Sequence, residues 1–167
     1  MKATIRAAAA CLAILAAHGT LAASQAVSFL KSVEGFRATA YKDSGGKHTI
    51  GYGFTAHATV SKGSMTEAEA STELSRICRG ITAKLRAELG KQKLTPQEET
   101  AVVSFIYNVG WDTFKRSTMC RLLKEGKRGA AVAAEFSKWV YVTKGGKKVV
   151  SKGLKRRRAR ERRKFMG

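Results

Sequence analysis

A single proline stands in the 167 residues, and only 12 acidic side chains face 32 lysines and arginines. With so little proline, helices run without forced breaks, and a mainly helical body is expected. The cysteines, three in all, lack the close paired spacing of a zinc cluster, and His18, His48 and His57 are scattered. No glycine-rich phosphate loop follows a strand. Neither a metal nor a cofactor is therefore expected. Internal repeats and long low-complexity linkers are also missing, so the chain reads as one domain's worth, long enough to bury a true core. There is no uninterrupted run of the roughly 20 apolar residues that an ordinary spanning helix needs.

The shortage of acids leaves a formal charge of +20. Such a field draws a protein toward polyanions, among them nucleic acid, anionic lipid and the carboxylate-bearing bacterial wall, and charge does not choose among them. The densest block, Lys152 to Lys164, reads either as a nucleic-acid-binding arm or as a final helix packed through Leu154, Ala159, Phe165 and Met166. No known nucleic-acid-binding motif accompanies it, and no nucleic-acid partner is expected.

At the start of the chain, Lys2 and Arg6 precede an alanine-rich apolar run from Ala7 to Ala17. Thr20-Leu21-Ala22-Ala23-Ser24 then offers small residues for cleavage after Ala22 or Ala23. This is the layout of a secretory signal, and it divides the chain into residues 1–23 and a domain of residues 24–167. Export to the periplasm follows, with transient inner-membrane contact through residues 1–23.

Ala26, Phe29, Leu30 and Val33 fall at i, i+3, i+4 and i+7, the stripe of an amphipathic helix with Glu34 in its last turn and Gly35 as a stop. Short, partly alternating residues from Phe36 to Tyr41, the turn Asp43-Ser44-Gly45-Gly46 and a resumed strand from Thr49 to Gly53 complete a helix feeding a β-hairpin. Glu34, Asp43 and Thr49 can thus meet in one cleft. Glycoside hydrolysis needs one carboxylic acid to protonate the leaving oxygen and a second carboxylate across the scissile bond. A helix-end glutamate among apolar neighbours favours its protonated form, whereas an aspartate in a polar glycine-rich turn stays charged. On spacing alone, a solvated glutamate, an ordinary turn aspartate and a β-branched strand residue are the better reading.

Capping boxes at Thr66-Glu67-Ala68-Glu69 and Thr95-Pro96-Gln97-Glu98, the latter with proline at the first helical position, start two helices. Helices are predicted over about 66–90, 96–109, 118–125, 130–139 and 153–165.

The strings Glu34-Gly35-Phe36-Arg37, Ala40-Tyr41-Lys42-Asp43 and Thr49-Ile50-Gly51-Tyr52-Gly53 closely resemble the active-site region of the phage-type lysozymes, the endolysins of glycoside hydrolase family 24. Ser104-Phe105-Ile106-Tyr107-Asn108-Val109-Gly110 with Phe114 and Ser117-Thr118 is similar to that family's central helix. Trp139, Gly145-Gly146 and the pattern GLxxRRxxE from Gly153 to Glu161 are similar to its closing segment. The resemblance covers roughly residues 24 to 165 in order. It implies an α+β, mainly α, lysozyme-like fold with a small β-hairpin lobe and a larger helical lobe. The implied activity is an N-acetylmuramidase acting on peptidoglycan glycan strands as a monomer.

Position by position, the resemblance implies Glu34 as general acid, Asp43 as the base for an attacking water, and Thr49 as the hydroxyl holding that water. Arg157 matches an arginine that pairs with the acid, and Tyr107, Asn108 and Ser117 match positions lining the saccharide cleft. Tyr107 also fits a core position, and core packing is the better reading of Trp139. One departure is visible, because relatives commonly carry a histidine where this chain has Phe54; packing in the hairpin lobe is expected to change. Some endolysins keep their first segment as a signal-arrest-release anchor, which His18 and Gly19 also permit, although cleavage is the favoured fate. With residues 1–23 removed, Cys78 and Cys120 remain as a possible disulfide, and two unpaired buried thiols fit equally well. The rival readings are a lytic transglycosylase, and a cationic wall- or nucleic-acid-binding protein without turnover.

Overall fold

The computed structural model describes residues 23–42 and 46–167. Residues 1–22 of the expected leader, Cys11 among them, lie outside the described residues, as does Asp43. Helix α1 occupies 23–34 and buries Ala26 and Leu30 fully, with Phe29 and Val33 half-buried beside them. It ends at Glu34 because Gly35 takes φ +71, the left-handed conformation that glycine adopts without a Cβ penalty.

Strands β1 (Arg37–Lys42) and β2 (His48–Gly51) form the first antiparallel hairpin. Tyr41 pairs with Thr49 and Arg37 with Gly51, so β1 carries an irregularity between the two pairs. At that point β1 turns its other edge toward residues 63–65. Met65 N–H donates to the Ala38 carbonyl at 2.8 Å and Ala40 N–H to the Gly63 carbonyl at 3.0 Å. The expected strand from Thr49 to Gly53 is shorter than predicted. Ile50 and Phe54 exchange both backbone hydrogen bonds, at 3.0 and 2.8 Å, and fold the chain back on itself through Gly51 and Gly53, both at positive φ. Phe54 fills the inside of this bend, 4% exposed, so the position where relatives carry histidine is an apolar packing position here.

A short helix α2 (His57–Val60) leads to α3 (Glu67–Leu89) and α4 (Pro96–Val109), and both expected capping boxes are present at Thr66 and Thr95. Five apolar residues of α4, namely Ala101, Val102, Val103, Phe105 and Ile106, are buried, as expected of a helix surrounded by others. Around it run α5 (Trp111–Lys115), α6 (Thr118–Lys124), α7 (Ala130–Phe136) and α8 (Lys152–Met166). Trp139 is partly buried and packs against the core, edge-on to Phe105 with ring centroids 5.4 Å apart.

Helix α7 stops three residues before the predicted end, and α2, α5 and a second hairpin lie outside the sequence-based expectation. That hairpin joins β3 (Tyr141–Lys144) to β4 (Lys147–Val150) through Gly145 and Gly146, at φ +53 and +75, the two-residue turn that suits the twist of antiparallel strands. Helix α8 also departs from expectation. Ala159 and Met166 are exposed, and the stripe that faces the core is Arg157, Arg158, Glu161 and Phe165. Among the described residues no helix is long and apolar enough to cross a membrane.

Gly51 and Gly35 separate two costs of the same substitution. A Cβ on Gly51 would lie 2.7 Å from the Phe54 ring and 2.8 Å from Met65 Sδ, whereas one on Gly35 would meet nothing within 4 Å. Gly35→Ala should cost about 1 kcal/mol from backbone strain alone, and Gly51→Ala about 3 kcal/mol from strain plus overpacking. Urea denaturation of both variants measures the difference.

Candidate active site

Glu34, the last residue of α1, sits where the first hairpin meets the helical body. Its side chain is 20% exposed, and its Oε1 accepts a hydrogen bond from Arg157 Nη1 of α8. Its Oε2 points toward Gly53, where an added Cβ would lie 3.5 Å away. The absence of a side chain at Gly53 therefore leaves hairpin backbone directly beside the carboxylate. Tyr107 of α4 holds that backbone in place, its hydroxyl donating to the Tyr52 carbonyl at 2.7 Å. Burial, and then the nearby Glu34 carboxylate, push the Tyr107 phenol far above its ordinary range, so it stays a neutral donor. The Tyr52 hydroxyl in turn donates to Glu67 Oε1 of α3 at 2.8 Å, and its ring packs on Phe36.

Arg157 is 7% exposed and makes polar contacts with three partners. Besides Glu34, Nε donates to Glu161 Oε1 at 2.9 Å and Nη2 to the Ser104 carbonyl at 3.0 Å. Glu161 is wholly buried; its Oε1 also accepts from Ser104 Oγ at 2.7 Å, and its Oε2 from Arg158 Nη1. Arg158, 1% exposed, stacks 4.8 Å over the Phe105 ring and donates to the Trp139 carbonyl and to Asn108 Oδ1. Burial pulls the Arg158 guanidinium below its ordinary range, and Glu161 opposes that pull. Every partner here is hydrogen-bonded, the condition under which buried charge is tolerated.

Ser104, Arg158 and Glu161 complete this network, and sequence reasoning gives them no role of their own. A signal exists, since in Arg157-Arg158-x-x-Glu161 the acid lies three and four residues beyond the bases, on one helix face. Ser104 is a polar residue inside the apolar run of α4, which demands a buried partner.

The remaining predicted residues differ in their surroundings. Thr49 is 4% exposed and its hydroxyl donates to the Lys47 carbonyl at 3.1 Å, which leaves its oxygen free to accept. Asn108 borders a cleft of about 490 Å³, also lined by Thr118, Trp139, Tyr141, Lys148 and Arg158. Ser117, expected at the saccharide cleft, is buried, and its Oγ caps α6 by accepting from Cys120 N–H at 3.1 Å and donates to the Phe114 carbonyl at 2.7 Å. Tyr107 turns its hydroxyl to the hairpin. No group of three or more metal-ligating side chains gathers among the described residues.

Cys78 and Cys120 do not form the possible disulfide; both are free, buried thiols packed as small apolar side chains in the core. Burial pushes the Cys78 thiol up to about 12 and raises that of Cys120 as well. In a Cys11→Ser background, Ellman's reagent at pH 8 should find neither thiol in the native protein and both after denaturation, because the thiolate is the reactive form.

Comparison with known proteins places this geometry in a family. The model of the phage lysozyme family matches residues 31–161. An endolysin of Acyrthosiphon pisum secondary endosymbiont phage 1 is 33% identical over 132 residues, which cover 79% of this chain and 88% of that protein. A SAR-endolysin of Pseudomonas phage phiKMV is 33% identical over 140 residues, 84% of this chain and 85% of the relative. Among solved structures, the muramidase domain of SpmX from Asticaccaulis excentricus superposes with a TM-score of 0.72 at 30% identity, covering 85% of this chain and 95% of that one. The endolysin from Escherichia coli O157:H7 phage FAHEc1 gives 0.69 at 30% identity, covering 85% and 90%. On sequence and fold together, the chain belongs to the phage lysozyme family.

Proposed function

We propose that the protein is an N-acetylmuramidase that hydrolyses the β-1,4 bond between N-acetylmuramic acid and N-acetylglucosamine in peptidoglycan. The observation that carries this reading is the position of Glu34, a partly exposed carboxyl at the junction of the hairpin and the helical body, fixed by a buried arginine. In its protonated form Glu34 gives its proton to the glycosidic oxygen as the bond to the anomeric carbon breaks. Asp43 takes a proton from the attacking water, which the acceptor oxygen of Thr49 helps to hold. The water adds to the opposite face of the sugar, so configuration at the anomeric carbon inverts; this requires carboxyls roughly 6.5 to 9.5 Å apart. One proton leaves Glu34 and one arrives at Asp43 in each turnover, and exchange with solvent resets both.

A lytic transglycosylase is the less favoured alternative, because this chain has Asp43 and Thr49, a carboxylate and a hydroxyl of the kind that a water nucleophile needs. The formal charge of +20 suits a substrate rich in peptide-stem and lactyl carboxylates. Export is part of the same proposal. Lys2 and Arg6 before the apolar run supply the layout of a leader, and relatives named SAR-endolysins support delivery across the inner membrane. In this reading the site of action is the periplasm and the enzyme works as a monomer.

Digestion of purified peptidoglycan should release fragments with reducing muramic ends of α configuration. Anhydro ends would instead identify a transglycosylase, and binding without fragments would remove the enzyme reading. Glu34→Gln should lower kcat about 10³-fold while keeping the fold and the affinity for walls. Asp43→Ala should be severely impaired too, and normal turnover in that variant would exclude water activation by Asp43.

A further inference from the structure

Muramidase chemistry asks Glu34 to carry a proton while it touches a guanidinium that stabilises its charged form. Four buried or half-buried charges meet here: Glu34, Arg157, Arg158 and Glu161. With Glu34 ionised they sum to zero, and with Glu34 protonated to one net positive charge. Both arginines also reach Glu161, through different oxygens of the same carboxylate. Arg157 is thus shared between two acids, and its attraction for Glu34 is weakened by whatever Glu161 neutralises.

We propose, resting on the muramidase reading of the site, that Glu161 and Arg158 are opposed positioning residues, which set through Arg157 how readily Glu34 holds the proton it must donate. Neither touches Glu34 by hydrogen bond or ion pair among the described residues. Glu161 acts by anchoring Arg157 at Nε and compensating its charge, and Arg158 acts by drawing on the second oxygen of Glu161.

Among the described residues the surrounding elements supply few competing charges, and Asp43, outside them, is the further carboxylate that the proposed mechanism sets opposite Glu34, unchanged in both variants compared below. From α4 come the neutral Ser104, Tyr107 and Asn108, from the first hairpin the Tyr52 carbonyl and Gly53, and from the segment after α7 the Trp139 carbonyl. Glu73 and Cys78 of α3 act on Tyr107 at longer range. Arg157, Arg158 and Glu161 are buried, so a unit charge removed beside Arg157 is felt strongly.

The signs come from the charge count. Removing the negative charge of Glu161 leaves Glu34 facing two uncompensated arginines, so protonation becomes harder. Removing the positive charge of Arg158 leaves Glu161 free to neutralise Arg157, so protonation becomes easier. Both substitutions disrupt packing and hydrogen bonds, but only the charge coupling sends them in opposite directions.

The test is a carbon NMR titration of the Glu34 carboxyl in the full-length protein, assigned by its disappearance in Glu34→Gln, run beside the pH profile of peptidoglycan hydrolysis. In Glu161→Gln the titration midpoint and the alkaline limb of activity should both move about one pH unit toward acid. In Arg158→Gln they should move toward alkali. Midpoints that stay fixed, or that move the same way in both variants, overturn the proposal. If Glu161→Gln does not fold, the direction of the Arg158→Gln shift decides alone, and a shift toward acid or none refutes it. Opposite NMR shifts in a protein that cleaves no peptidoglycan would instead sink the muramidase reading and leave the charge coupling standing.

Discussion

The Arg157 guanidinium is the point at which the molecule's separate parts are tied together. One side chain reaches the end of α1 through Glu34, the middle of α4 through Ser104 and its own helix through Glu161. A neutral residue of the same size would leave Glu34 without its counter-charge and the wholly buried Glu161 with Arg158 alone, and breaking such a network from one side is far costlier than never building it. The core stripe of α8 is therefore charged where an ordinary amphipathic helix would be apolar. Arg160 adds a second, exposed clamp, its guanidinium donating to the carbonyl and hydroxyl of Ser32 on α1.

The hairpin lobe is fixed to this assembly by fewer bonds. The Tyr107 hydroxyl holds the Tyr52 carbonyl, and the Tyr52 hydroxyl holds Glu67, so a single residue of the bend between Ile50 and Phe54 is gripped from α3 and α4. Gly53, next along, lies beside Glu34 in a backbone conformation, φ +91, that glycine adopts without strain. Glu34 is thus held through a buried arginine on the helical side and faces backbone held by a single tyrosine hydroxyl on the hairpin side.

What can be read in the sequence divides along physical lines. Helices α3 and α4 are legible because their starts are local chemistry, a threonine and a glutamate three residues apart satisfying each other's backbone donors. The second hairpin is equally local, two glycines between strand-forming runs, but basic residues on both sides obscure its alternation. Helix α7 ends early where Trp139 turns inward onto Phe105, a tertiary contact with no sequence signature. Glu34 and Arg157 are 123 residues apart, so no spacing rule joins them, and only the family resemblance brings them together. Ser117 shows the local kind of signal again, since its capping of α6 is readable from a serine standing directly before a helical run.

Nearly all the acids of this chain are occupied internally. Glu69 and Glu98 close helix caps, Glu67 takes the Tyr52 hydroxyl, and seven others hold arginine or lysine, from Glu34 at the end of α1 to Glu125 just after α6. Bases outnumber acids so heavily that the outward field is almost purely cationic. On a polyanionic mesh this speeds arrival and slows departure together, and dissolved ions relax both within about one Debye length. Ionic strength then governs how far a molecule travels along the mesh between successive cuts, with no change at the groove itself.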